Sequence, residues 1–582
     1  MKRHTLQLIL AIAIFACLHT GVARGQQAPA GNQHPDSQWH FDESISNPFD
    51  TPPRQATASA AEKREFARSV DLEPLRDLAV SHNGRVKILD TLAREVIEGV
   101  TGRNAYMDLG DDAEDGQGRT RYDPLFTYLD LLIDPAHYID RSLIHVRYLP
   151  LRRALIGEVI DDESERELWL RRGRLSPRMI MGGFGPVAER HGTDPEMAAG
   201  LQDIRAVFEL LEHGYGQLYM IAPASSRDSW LHVSTMSPAS PVRQAFRDLA
   251  ESWRALDGEG VEAAANSMAK LLPAINPDQY PGAQRRIESF YNASSPFEYG
   301  YWAYCISFVA LLLAFGTGRR WLISIGVATL AFAIILHTLG FGARWFIAER
   351  YPIQNQFESM IGVALGGAGV GFALMLVRRQ WLYGAAAAGA GFLVLLTATE
   401  TGVPGASIGR EAAILNTSAL LKYHVTTVLI SYGLITLGFF ISSLYLLTHY
   451  TARGKAARDA AALAAKGLGI EDESVAGPQR VLADLDRAQL TVLQLAFWTL
   501  GVGVLLGAWW ADHSWGRWWA FDPKETWALI TWIVYLIVIH ARIGLTRNRG
   551  LVTAWLSVLG FFVMLWTYFG VNLLLPGLHA YA

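Results

Sequence analysis

Residues 509–532 read WWADHSWGRWWAFDPKETWALITW, a polar turn joining two apolar runs, Leu490 to Trp510 and Pro523 to Ile543. Seven of the chain's 18 tryptophans fall in it, far more than uniform usage would place there. Such a concentration suits a large, flat, apolar ligand. The alternative is an aromatic belt at a membrane interface, although a belt spreads its rings over several helix ends. Asp522-Pro523-Lys524-Glu525 reads as a helix start, with Asp as cap, Pro in the first turn and Glu placed to close a capping box. That start would hold the tryptophan faces rigidly. Its free backbone N–H groups and positive dipole end would suit a carboxylate, although the same residues also read simply as a good cap.

Outward from this turn the pattern repeats. After Pro296 there are eight apolar runs: Trp302 to Phe315, Trp321 to Leu339, Phe357 to Val377, Trp381 to Thr399, Leu420 to Leu447, Leu490 to Trp510, Pro523 to Ile543 and Leu551 to Leu575. Most reach the ~20 residues a helix needs to cross a bilayer, the first only if Tyr299 to Tyr301 join it. Arg319-Arg320, Arg378-Arg379, Arg453 to Lys466, and Arg542, Arg547 and Arg549 fall in alternate connections. The positive-inside rule puts these in the cytoplasm and the tryptophan turn and carboxyl terminus outside.

The amino-terminal half has another character. Lys2 and Arg3 precede the apolar run Leu6 to Leu18, so residues 1–25 read as a signal peptide or signal anchor. Residues 26–60, rich in Gln, Pro, Ala and Ser, read as a flexible linker. Residues 61–298 mix charge with helix-spaced apolar positions such as Leu92, Val96 and Val100, and lack a membrane-length run. The acidic loop Asp111 to Asp115 lacks calcium-loop spacing and reads as a solvated turn. The expected fold is an all-α polytopic membrane protein of about eight transmembrane helices (299–582) with an N-terminal, mostly helical extracytoplasmic domain (61–298).

Composition narrows the function. The chain has 582 residues, 18% of them charged, and a net charge of −4 without clustered basic surface, which argues against nucleic acid as a partner. Cys17 and Cys305 both lie in apolar segments, so there is no disulfide framework, CxxC pair or CxxCH site. Histidines are more informative, because ionisable groups within a membrane are costly and default to functional candidates. His337, His424, His449 and His540 lie in or beside the spans, His513 in the tryptophan turn and His579 after the last run. His424 and His579 share the outer end and flank the turn from different helices. Two neutral imidazoles beside a flat aromatic cleft are what an axially ligated haem requires. His540 follows Pro523 by seventeen residues, about 25 Å deeper, and cannot share that site. His82, His145, His213 and His232 are scattered and read as structural.

WGRWWAFDPKETWALITW, with LKYHVTTVLISYG upstream and FGVNLLLPGLHAYA at the end, resembles the tryptophan-rich, haem-handling CcsA/ResC family of cytochrome c synthase components. The resemblance covers Pro296 to Ala582. It implies haem b as a transported substrate, moved outward across the bacterial cytoplasmic membrane and presented for thioether attachment to CxxCH motifs of apocytochromes c. It further implies a cytochrome c synthase (haem lyase) component, with His424 and His579 as outer axial ligands and His540 as the intramembrane ligand. Trp515, Trp518, Trp519, Phe521, Asp522 and Trp527 would then form the haem platform. Phe521 departs from the Trp usual in that motif, and His513 matches no ligand of the family. A ResB-like membrane subunit would supply the second intramembrane ligand, with His449 as an internal substitute. NQFESM, with Asn355 and Glu358, also resembles a family segment, and HNGRVKILDTLARE resembles extracytoplasmic extensions on some CcsA-type proteins. No acid–base pair or nucleophile for hydrolysis stands out, so the work implied is positioning. A haem-transport or haem-binding subunit without lyase chemistry is the alternative. A b-type electron-transfer cytochrome would need facing His pairs at both depths, and a solute transporter an inverted repeat, and neither is evident.

Overall fold

The computed structural model describes residues 45–108, 120–409, 418–465, 476–545, 548–575 and 577. The expected signal, most of the linker, the acidic loop and His579 lie outside these residues.

Before the first span the described residues form ten helices of ten residues or more: α1 (Ala60–Ser69), α2 (Leu89–Thr101), α3 (Pro124–Ile133), α4 (Leu149–Val159), α5 (Glu163–Arg172), α6 (Pro177–His191), α7 (Pro195–His213), α8 (Pro241–Arg254), α9 (Gly258–Ile275) and α10 (Gly282–Ser294). Helix α3 is apolar enough for a membrane but, at ten residues, too short to cross one. It is instead the buried centre of this region, every residue covered. Its one acid in mid-helix, Asp130, is matched completely: Lys63 Nζ (2.7 Å), Trp253 Nε1 (2.8 Å) and Tyr138 OH (2.8 Å) all donate to it. A buried carboxylate without such donors would be prohibitive. Residues 45–59, within the stretch read as linker, hold no helix, yet Phe49 is buried against Phe246.

The segment HNGRVKI forms a hairpin, β1 (Ala79–His82) and β2 (Arg85–Ile88), with His82 opposite Arg85. Asn83 (φ +50°) and Gly84 (φ +74°) make the two-residue turn, the pair best able to adopt left-handed backbone there. Lys87 Nζ donates to Glu95 and lies 3.2 Å from His82 Nδ1. Burial and the charges of Lys87 and Arg85 push the His82 pKa down to about 3.

Among the described residues, eight helices are long and apolar enough to cross a membrane, as the apolar runs anticipate. They are α11 (Pro296–Thr317), α12 (Arg320–Ala348), α13 (Gln356–Arg378), α14 (Leu382–Glu400), α15 (Ala419–Ala465), α16 (Ala476–Trp515), α17 (Pro523–Gly544) and α18 (Arg549–Leu565). The first begins at Pro296 and takes in Tyr299 to Tyr301, which gives it full length. Helices α15 and α16, at 47 and 40 residues, far outrun their apolar stretches. Hydropathy marks only the part within the hydrocarbon, and Ala-rich sequence such as 456–465 continues the helix beyond it. Helices α13 and α15 meet backbone to backbone: a Cβ on Gly433 would stand 2.6 Å from the Val363 carbonyl. Helix α18 widens into a π turn, Trp566–Gly570, before Val571–Leu574. Such turns re-aim side chains and recur at functional sites.

Candidate functional site

The tryptophan stretch is mostly helix. Helix α16 runs through Trp515 and closes with Gly516 in left-handed backbone (φ +68°), its N–H donating to the Asp512 carbonyl. Only residues 516–522 form the turn. Asp522 then caps α17, and the expected capping box with Glu525 is present. Glu525 also reaches back to the turn, accepting from the Ala520 N–H at 2.8 Å. One expectation is corrected here: the helix start has no spare N–H groups for an outside anion. Pro523 has none, the N–H groups of Lys524 and Glu525 go to the Asp522 side chain, and that of Thr526 goes to the Asp522 carbonyl.

Behind the turn lies a cavity whose empty space, about 1440 Å³, includes open solvent at its mouth. Helix α15 contributes His424, Val425, Val428 and Tyr432; α16 contributes Gly507, Ala508 and Trp510; and the turn adds Trp519. Lys524, Glu525 and Ala528 come from α17, and Thr567, Tyr568 and Asn572 from the π turn and the residues after it. The start of α13 closes the wall with Asn355, Gln356 and Ser359.

His424 is held tightly in this wall. Its Nδ1 lies 2.8 Å from the Gly503 carbonyl. A carbonyl only accepts, so Nδ1 carries the proton and the lone pair of the neutral ring resides on Nε2, the form that ligates a metal. One turn on, Gly507 leaves room for the ring, since a Cβ there would stand 2.5 Å from His424 Cε1.

Of the six platform residues named from the sequence, Trp519 alone lines the cavity, joined by Trp510, which was not among them. Trp515 packs edge-on to Trp510 with ring centres 4.9 Å apart. Trp518 is 55% exposed and Phe521 79% exposed, the latter in left-handed backbone at φ +56°. Trp527 stacks edge-on against Trp566, and Asp522 is buried as the cap. His513 sits in the last turn of α16, Nδ1 donating to the Trp509 carbonyl. His540 is exposed on α17, its Nδ1 donating to the Leu536 carbonyl. His337 is buried against Phe297 and Tyr304, and His449 stacks on Tyr445.

A group that the sequence singled out without a role organises one cavity wall. Asn355 caps α13 by accepting from the Glu358 N–H at 2.8 Å. The fully buried Glu358 carboxylate accepts from Arg344 (3.0 Å), from Arg350 (2.7 and 3.1 Å) and from the Gln354 N–H (2.9 Å). Arg344 in turn donates to the Ala406 carbonyl (2.7 Å) and to Tyr291 OH on α10 (3.2 Å). Ser359 and Tyr568 hydroxyls, 2.6 Å apart, join this wall to the π turn. The signal was legible in part: Asn355 and Glu358 stand at cap and third-residue spacing.

Fold and site together define a polytopic helical membrane protein with an aromatic, histidine-bearing cavity behind a tryptophan turn. Residues 299–579 match the family of cytochrome C assembly proteins. The chain is 31% identical over 307 residues to the cytochrome c biogenesis protein CcsA of Trieres chinensis, covering 50% of this chain and 96% of that protein. To CcsA of Synechococcus elongatus it is 33% identical over 306 residues, 46% of this chain and 92% of the relative. Protein NrfI of Wolinella succinogenes matches more of the chain, 24% identical over 524 residues, 86% of this chain and 53% of that protein. The chain belongs to the CcsA family of cytochrome c biogenesis membrane proteins.

Proposed function

We propose that the chain binds haem in the cavity behind the tryptophan turn and presents it on the extracytoplasmic face for attachment to apocytochrome c. The observation that carries this is His424, an imidazole lining an aromatic cavity with its proton fixed on Nδ1 by the Gly503 carbonyl. Nε2 is then the nitrogen that would ligate iron. By family resemblance His579 is the second axial ligand. Gly577, two residues before it, lies against the start of α17, where a Cβ would stand 2.6 Å from Asp522 Oδ1. Family membership and the alternating arginine loops support the sidedness.

Attachment adds a substrate cysteine across each haem vinyl group, sulfur to one carbon and the thiol hydrogen to the other, with nothing released. The protein's share is to hold the ring still and its edge accessible, which is catalysis by position. His540 serves an earlier stage, haem at the other depth of the membrane. It is exposed on a wall of α17 shared with Ile533 and Ile537. An imidazole facing lipid is unfavourable, so a partner helix, that of a ResB-like subunit, covers it and supplies the opposing ligand.

The test is co-expression with an apocytochrome c in a host lacking its own attachment system, with and without a ResB-like subunit. Covalent haem on the cytochrome is the expected product. A haem-loaded complex that never yields covalent product would leave only the transport reading.

A further inference from the structure

The cavity has a cation that none of the roles above uses. Lys524, the second residue of α17, is the only Lys or Arg among the described residues lining it. With Asn572 it also lines an adjoining hollow beside Asp522 and Gly577, so the two residues stand where the hollows meet. Asp522 accepts from the N–H groups of Lys524 and Glu525, and Glu525 from those of Ala520 and Asp522, while the Asp522 charge also acts on the Lys524 ammonium. Asn572 Nδ2 donates to the Tyr568 carbonyl, which holds its amide in place and leaves a second N–H to offer. On α15 and α16, Val425, Val428 and Val504 give the wall around His424 an apolar surface. A ligand that fills this cavity is therefore matched by a carbon surface on one side and an anionic group at Lys524. An ammonium in so apolar a setting gains most from a charged acceptor.

We propose that Lys524, assisted by Asn572, is the carboxylate-binding subsite of the cavity. The inference rests on the cavity being the haem site, and adds how the ring lies in it: propionates at the start of α17, a face of the ring toward His424 on α15, and the opposite, vinyl-bearing edge away from Lys524. Orientation of this kind decides which edge of the ring a substrate thiol can reach.

The full-length protein, purified in detergent, is titrated with haem and with haem dimethyl ester, whose carboxylates are blocked. Lys524→Gln should weaken haem binding about 10- to 100-fold, the worth of a charged hydrogen bond, while leaving the ester unchanged. Lys524→Arg should restore most of the haem affinity. Equal loss of both ligands in Lys524→Gln, or no loss of haem, would overturn the subsite. His424→Ala, run in parallel, tests the underlying reading separately, since it should weaken both ligands alike. A selective effect of Lys524→Gln with none from His424→Ala would uphold the subsite and remove the axial role of His424.

Discussion

At the scale of single residues, the proposed haem binding turns on the tautomer of His424 and the space beside its ring. Replacing His424 by Gly should abolish the haem absorbance of the purified protein, and added imidazole should restore part of it by filling the vacated position. Gly507→Val should also reduce haem content, because its side chain would displace the ring, but imidazole should not rescue it, since His424 is still present. Equal rescue of the two variants would show that Gly507 does not act through His424. His82 allows a second test. Its native pKa of about 3 lies below the ordinary value near 6.5, so the unfolded chain binds more protons between those limits. Stability is complete above about pH 6.5 and falls as pH drops toward 3, by at most roughly 1.4 kcal/mol per pH unit from this group. Thermal unfolding at pH 7 and pH 5 should show a smaller acid loss in His82→Gln than in the parent.

At the scale of elements, the start of α13 is the part of the site that a polar network builds. Glu358→Ala would leave Arg344 fully buried without its carboxylate, a loss of about 3–5 kcal/mol for a broken buried pair. A marked drop in the detergent unfolding midpoint is expected, together with a change in the haem spectrum, because Asn355 and Gln356 line the cavity. An unfolding midpoint within error of the parent would mean that the two arginines find other acceptors. The elements themselves were largely legible. Hydropathy marked eight spans, and the spacing of Asp522 and Glu525 marked the start of α17, because both depend on neighbours in sequence. The π turn and the overlong α15 and α16 were not, since the first is a packing adjustment and the second lies outside the apolar pattern.

At the scale of the whole molecule, the helices ahead of Pro296 are joined to the membrane bundle by a few specific contacts. Arg85 on the hairpin, held by Glu288 of α10 at 3.0 Å, donates to the Ile408 carbonyl at 2.7 Å, and Tyr291 of α10 meets Arg344 of α12. The hairpin therefore bears on the same loop that Arg344 and Arg350 hold. For His540, the expected outcome depends on assembly: His540→Ala should lower haem only in the complex with a ResB-like subunit and leave the isolated chain's spectrum unchanged. Haem loss from the isolated chain would place the second ligand within it. By itself the sequence determined the spans, the helix start and the family signature, all properties of local pattern. Only the tertiary structure decided that Trp519 and Trp510 line the cavity while Trp518 and Phe521 face out, that Gly503 orients His424, and that Glu358 gathers two arginines. The reason is physical: in a bundle apolar nearly all round, hydropathy says little about how each helix is rotated, and close packing of small residues sets that rotation.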